Sequence, residues 1–190
     1  MVHLIELFKK YVQWKILAHF MENPNTSFHI KQLARIIEVS PASVSSAVKS
    51  FEKEGLLLKE EKGLAHLYRL SADNSVVAPL KKAYGIALVL SSRPKEKFLE
   101  VDPHIISLAL FGSYAEGSYD EKSDIDFLAV TSARKENLIS TAKRLEEELK
   151  KEVSISVFKL SEWRTLAKIG DAFYKRIVEN HILLYGSGLK

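Results

Sequence analysis

Cysteine is absent from this 190-residue chain. Disulfide staples, thiolate zinc sites and thiol nucleophiles are therefore excluded. No apolar run approaches the roughly 18 residues needed to cross a bilayer, so a membrane is not expected as a partner. The N-terminal stretch "MVHLIELFKKYVQW" is charged and amphipathic and lacks a signal-peptide core with a small-residue cleavage site. The expectation is a soluble, cytoplasmic protein. What the chain does have is apolar residues, 46% of the total. That is enough for one large domain or two small ones that fold without covalent help.

A strong overall charge is also lacking, but the distribution is uneven. Residues 1–100 carry 15 Lys+Arg against 10 Asp+Glu, and residues 101–190 carry 13 against 14. A basic first half joined to a nearly neutral second half suggests two units, the first suited to a polyanion.

The first half has helical periodicity followed by a hairpin. Leu4, Leu7, Phe8, Tyr11, Trp14, Leu17 and Phe20 recur at helical spacing, and "NPNTS" (23–27) breaks the helix. "IKQLARIIE" fits a second, short helix. In "VSPASVSSAVKSFEKEGLL", Ser40 suits an N-cap and Pro41 the first helical position. Val44, Val48 and Phe51 form an inward stripe, and Gly55 suits the left-handed closing residue. Two short apolar runs around Lys62-Gly63 then read as a hairpin. This order resembles a winged helix-turn-helix, with "SPASVSSAVKSFEKEGLL" similar to the recognition-helix region of MarR- and ArsR-like regulators, over roughly residues 5–72. The resemblance implies contact with double-stranded DNA. Ser43, Ser46, Lys49 and Ser50 lie off the apolar stripe, with Lys53 beyond them and Lys62 on the wing. Small hydroxyls permit close approach to a groove, and lysines pair with phosphate. That face has no arginine, which leaves open a protein-interaction role or a homodimer contact instead. His29 and His66 read as ordinary surface residues.

Val76, Val77, Leu80, Tyr84, Leu88 and Leu90 predict a connecting helix that ends at "SSRPK". The domain boundaries that follow are 1–72, a connector 73–97, and 98–190.

The most informative stretch is "LFGSYAEGSYDEKSDIDFLAV", Leu110–Val130. "IISLALF" reads as a buried strand ending at Gly112-Ser113, and "DIDFLAV" as a second strand. Side chains two apart in a strand share a face, so Asp124 and Asp126 project together. Paired carboxylates are costly unless a cation cancels their charge, and Mg²⁺ favours carboxylate oxygens plus phosphates. A glycine at a strand end lets backbone N–H groups approach an anion, and a helix starting there would favour phosphate. Gly-Ser, ten residues, then Asp-x-Asp resembles the signature of the DNA polymerase beta-like nucleotidyltransferases, and above all their small, minimal members, including Gly117 and Ser123. The resemblance covers roughly residues 98–190. It implies an α+β protein whose C-terminal α/β domain has a mixed sheet. In that reading Gly112, Ser113, Gly117 and Ser123 bind a nucleoside triphosphate such as ATP, while Asp124 and Asp126 are catalytic and hold Mg²⁺.

The family usually adds a third carboxylate on the next strand. Here that strand is "VSISVFKL" (153–160), whose matching positions are Ser154 and Ser156, with Ser156 the better match. Glu152 shares their parity but lies about 13 Å from Ser156 along an extended strand. Losing a general base costs about 10²–10⁴-fold in rate. Two functions therefore stay open. One is a Mg²⁺-dependent transferase moving a nucleoside monophosphate to a hydroxyl of a small molecule, a nucleic-acid end or a protein partner. The other is a winged-helix regulator that binds nucleotide without turnover. Farther on, Ser161 suits a helix cap, two helical stretches follow, and "HILLYG" reads as a last strand. Lys168, Lys175 and Arg176 read as solvated charges.

Overall fold

The structure is a computed structural model that describes residues 5–63, 65–132 and 134–190, leaving aside the side chains of Leu7 and Lys62. Two compact units are present: Met1–Ala87 with Asp120–Lys122, and Leu88–Tyr119 with Ser123–Lys190.

In the first unit the expected long first helix divides at Tyr11 into α1 (Ile5–Lys10) and α2 (Val12–Glu22). α3 (Ile30–Ile36) and α4 (Pro41–Lys53) follow. Ser40 caps α4 by accepting a hydrogen bond from the Ser43 N–H, with Pro41 at the first helical position. Gly55, at φ +72°, closes it. β1 (Leu57–Lys62) and β2 (Ala65–Leu70) form the antiparallel wing, with Lys62 opposite Ala65. Phe28 adds an isolated bridge to Tyr68. Ile16, Phe20, Leu33, Val44, Val48, Leu57 and Leu70 are buried. They come from α2, α3, α4, β1 and β2, and α4 packs against α2, α3 and β1.

α5 (Val77–Ser91) ends where "SSRPK" begins, and α6 (Pro94–Val101) starts at the proline. The connector therefore holds a second helix. Val77 and Tyr84 are buried, whereas Val76 and Leu90 face solvent.

The second unit is built on four strands: β3 (Ser107–Phe111), β4 (Ile125–Val130), β5 (Val153–Phe158) and β6 (His181–Gly186). Their order is β5-β4-β3-β6. β3 runs antiparallel to β4 and β6, and β4 runs parallel to β5, so the sheet is mixed. The five-residue α7 (Gly112–Glu116) sits at the end of β3, and α8 (Lys135–Leu149) makes the crossover from β4 to β5, as a parallel pair requires. α9 (Leu160–Ile169) and α10 (Ala172–Glu179) complete the unit. Ser161 lies inside α9 rather than at its cap; Lys159 holds that position, and its N–H donates to Glu162. Phe98 packs edge-on to Phe127, and Leu138, Ala142 and Leu145 of α8 are buried. A separate cluster joins Ala109, Phe111, Leu128 and Val130 of the sheet to Trp163 and Ile177 of α9 and α10. No described helix is long and apolar enough to cross a membrane.

Candidate active site

The end of β3 and the start of β4 meet because the hairpin register pairs Phe111 with Asp126. Ile125 and Phe127 point into the core and are fully buried. Strand alternation therefore turns Asp126 to the other face, where it is half-buried, while Asp124, just before β4, is exposed. Gly112 takes φ +70°, and a β-carbon there would stand 2.5 Å from Asp126 Oδ2. Any side chain would thus collide with the carboxylate as well as resist the left-handed backbone. Ser113 follows in α7, half-buried. Gly117, at φ +85°, ends that helix by donating its N–H to the Ser113 carbonyl at 2.8 Å. Its visible task is to close the turn. Ser123 is half-buried beside Asp124.

On the flanking strand the parallel register sets Ser154 opposite Asp126 and Ser156 opposite Leu128. The Ser154 hydroxyl donates to Asp126 Oδ1 at 2.7 Å. The hydroxyl next to the carboxylate is therefore that of Ser154, not Ser156. The alternation in "VSIS" identified the right face, but choosing between its two serines needed the pairing. One row runs across the whole sheet: His181, Phe111, Asp126, Ser154. His181 was not anticipated, because its position in that row depends on how β6 pairs with β3. Its Nδ1 is 2.8 Å from the Ile177 carbonyl.

Residues 91–185 match the family model of the nucleotidyltransferase domain. The chain belongs to this nucleotidyltransferase family. Residues 10–63 match the MarR family, so the nucleotidyltransferase domain follows a MarR-like winged helix. A protein of Methanocaldococcus jannaschii with the provisional name protein adenylyltransferase is 37% identical over 81 residues, which is 43% of this chain and 79% of its own length. Among solved structures, a toxin–antitoxin with AMP-PNP is 22% identical and shares 52% of this chain and 75% of its own, at a TM-score of 0.38. A nucleotidyltransferase, provisionally so named, from Sulfolobus solfataricus is 21% identical and shares 60% of this chain and 92% of its own, at a TM-score of 0.36.

In this nucleotidyltransferase-family domain the electrostatics centre on Asp126. Burial pushes its carboxyl above the usual aspartate range, and the neighbouring Asp124 adds to the shift. The Ser154 hydrogen bond and the Arg176 charge pull the other way. Among the described residues no group of three or more His, Asp or Glu side chains is arranged to hold a metal. Two carboxylates beside a glycine turn nonetheless fit Mg²⁺, which commonly takes one or two carboxylates and completes its shell with water and phosphate oxygens. At the opposite end of β4 lies an open cavity of about 710 Å³, lined by Arg134, Lys135 and Lys159 but also by Glu136 and Glu162. It contains none of the anticipated site residues.

On the winged helix, α4 exposes Ser43, Ser46, Lys49 and Ser50. The Ser43 hydroxyl is 2.8 Å from that of Ser40, so it is engaged in the cap. The side chain of Lys62 lies outside the described residues. Sequence reasoning missed the cations of α3: Lys31 and Arg35, with His29 and His66, line an open cavity of about 660 Å³. Their i,i+4 spacing in "IKQLAR" was the available signal.

Proposed function

We propose that the chain is a Mg²⁺-dependent nucleotidyltransferase that moves a nucleoside monophosphate, AMP in the first instance, from a triphosphate to a hydroxyl acceptor. The observation that carries this reading is the packing of the Asp126 carboxylate against Gly112, with Asp124 beside it. Carboxylates and a close-approach backbone turn thus share one strand end. Gly112 and Ser113 would bind the triphosphate through backbone N–H groups and the Ser113 hydroxyl, with Gly117 and Ser123 shaping the loop. Asp124 and Asp126 would hold Mg²⁺, which when bound neutralises both carboxylates and withdraws charge from the phosphates. The acceptor oxygen bonds to the α-phosphorus, the bond from that phosphorus to the β-bridging oxygen breaks, and pyrophosphate leaves. The acceptor's proton is released to solvent, since Ser154 rather than a carboxylate flanks Asp126. The adenylyltransferase name of the 37%-identical relative supports ATP as the donor. The MarR-like unit would bind double-stranded DNA through the exposed face of α4.

The test is incubation with labelled nucleoside triphosphates and Mg²⁺, wild type against Asp124→Ala/Asp126→Ala. Label transfer and pyrophosphate release confined to wild type are expected, and equal transfer by both would overturn the reading.

The Ser154–Asp126 bond also motivates a second reading, in which the domain binds nucleotide and the winged helix reports it on DNA without turnover. Stoichiometric ATP binding without pyrophosphate, together with nucleotide-dependent DNA affinity, would favour it. Transfer over many turnovers would remove it.

A further inference from the structure

Three cations near the C-terminus, Lys168, Lys175 and Arg176, look alike in sequence, but their surroundings differ. Lys168 is exposed in the last turn of α9, a favourable place for a cation beside that helix's free carbonyls. The Lys175 Nζ lies over Gly170, the residue that closes α9; a β-carbon built on that glycine would stand 3.2 Å from it. Both lysines are accounted for by the end of α9.

Arg176 has a different setting. Its guanidinium carbon lies 6.0 Å from the centre of the Phe173 ring, within cation–π range. Phe173 in turn meets Phe111 edge-on at 5.9 Å. Phe111 immediately precedes Gly112 and pairs with Asp126. Arg176 thus stands on an aromatic stack whose base is the strand end that forms the site, and its charge acts on Asp126. It makes no ion pair with any described residue. Phe173 and Ile177 anchor α10 in the core, so the side chain between them projects from a fixed helix. A guanidinium so held, its charge acting on a carboxylate that a metal would neutralise, is the planar donor that pairs well with phosphate oxygens.

We propose that Arg176 binds the polyphosphate tail of the nucleoside triphosphate. This role rests on the nucleotide-site reading above. It specifies α10, not only the Gly112-Ser113 turn, as a wall of that site. It also implies selectivity for triphosphate over monophosphate, because the guanidinium would meet the phosphates beyond the first.

The test is calorimetric titration of the full chain with Mg²⁺ and α,β-methylene ATP, which cannot transfer its nucleotide, and separately with AMP. Wild type, Arg176→Ala, Arg176→Lys and Lys175→Ala are compared, with melting curves confirming folding. Arg176→Ala should weaken triphosphate binding on the order of 10–100-fold, the scale of removing a charged hydrogen bond, and leave AMP affinity unchanged. Arg176→Lys should fall between, and Lys175→Ala should match wild type. Unchanged triphosphate affinity in Arg176→Ala, or an equal loss for AMP and triphosphate, would overturn the role while leaving the nucleotide site standing. If wild type binds neither ligand, the nucleotide-site reading fails, and the role of Arg176 with it.

Discussion

Asp126 shows how much of the proposed chemistry depends on one side chain in a conflicted setting. Its raised carboxyl pKa means that protonation competes with metal binding at a higher pH than for a free aspartate. Mg²⁺ affinity should accordingly fall on acidification before an ordinary aspartate would titrate. Because the Ser154 hydrogen bond opposes the rise, Ser154→Ala should move that fall to still higher pH; titrations of Mg²⁺ affinity against pH would show the displacement. The same shift has a consequence for stability. A carboxyl with a raised folded pKa favours the folded state below its unfolded value of 3.8. That contribution is lost as pH rises through the folded value. At neutral pH the ionised Asp126 therefore burdens the fold. Asp126→Asn should raise the melting temperature at pH 7 while lowering transfer on the order of 10²-fold or more, as when a catalytic electrostatic interaction is removed.

The turn between β3 and α7 and the start of α4 are the elements where local chemistry matters most. Gly112→Ala adds a β-carbon that meets both the Asp126 carboxylate and a left-handed backbone. It should destabilise by about 1 kcal/mol or more and reduce nucleotide binding. Gly188→Ala, whose β-carbon would meet nothing within 4 Å, should change neither; paired denaturation curves decide this. In the first unit, Ser40→Ala removes the α4 cap and should cost about 0.5–2 kcal/mol, measurable by urea unfolding. The ends of these elements were legible because their signals are local: a serine-proline start and a glycine after an apolar run. The break at Tyr11 and the extra helix α6 were not read. Apolar spacing continues across the first, and "PKEKFLEV" is too polar to stand out by periodicity.

Two units within one chain invite the question of separate duties. DNA binding through α4 should weaken in Lys49→Glu, and the slope of log affinity against log salt should become shallower by about one for each lysine–phosphate pair removed. Nucleotide affinity of the same variant should stay at the wild-type value. Filter binding across a salt series, with nucleotide titration alongside, measures both. The basic first half suggests a polyanion partner, but the charge count does not single out the cations of α3. Lys31 and Arg35 join His29 and His66 around one opening because α3 and the wing converge there, and no local spacing relates residue 35 to residue 66.

Sequence alone determined the two families, the strand that carries Asp126, and the face to which that side chain turns. Those properties follow from spacing within a single element, where backbone period fixes direction. Tertiary structure decided which serine bonds to Asp126, which cation stands over the Phe173–Phe111 stack, and how His181 joins the row. Each of these joins residues from different strands or helices, so each depends on register and packing between elements, which one-dimensional periodicity does not contain.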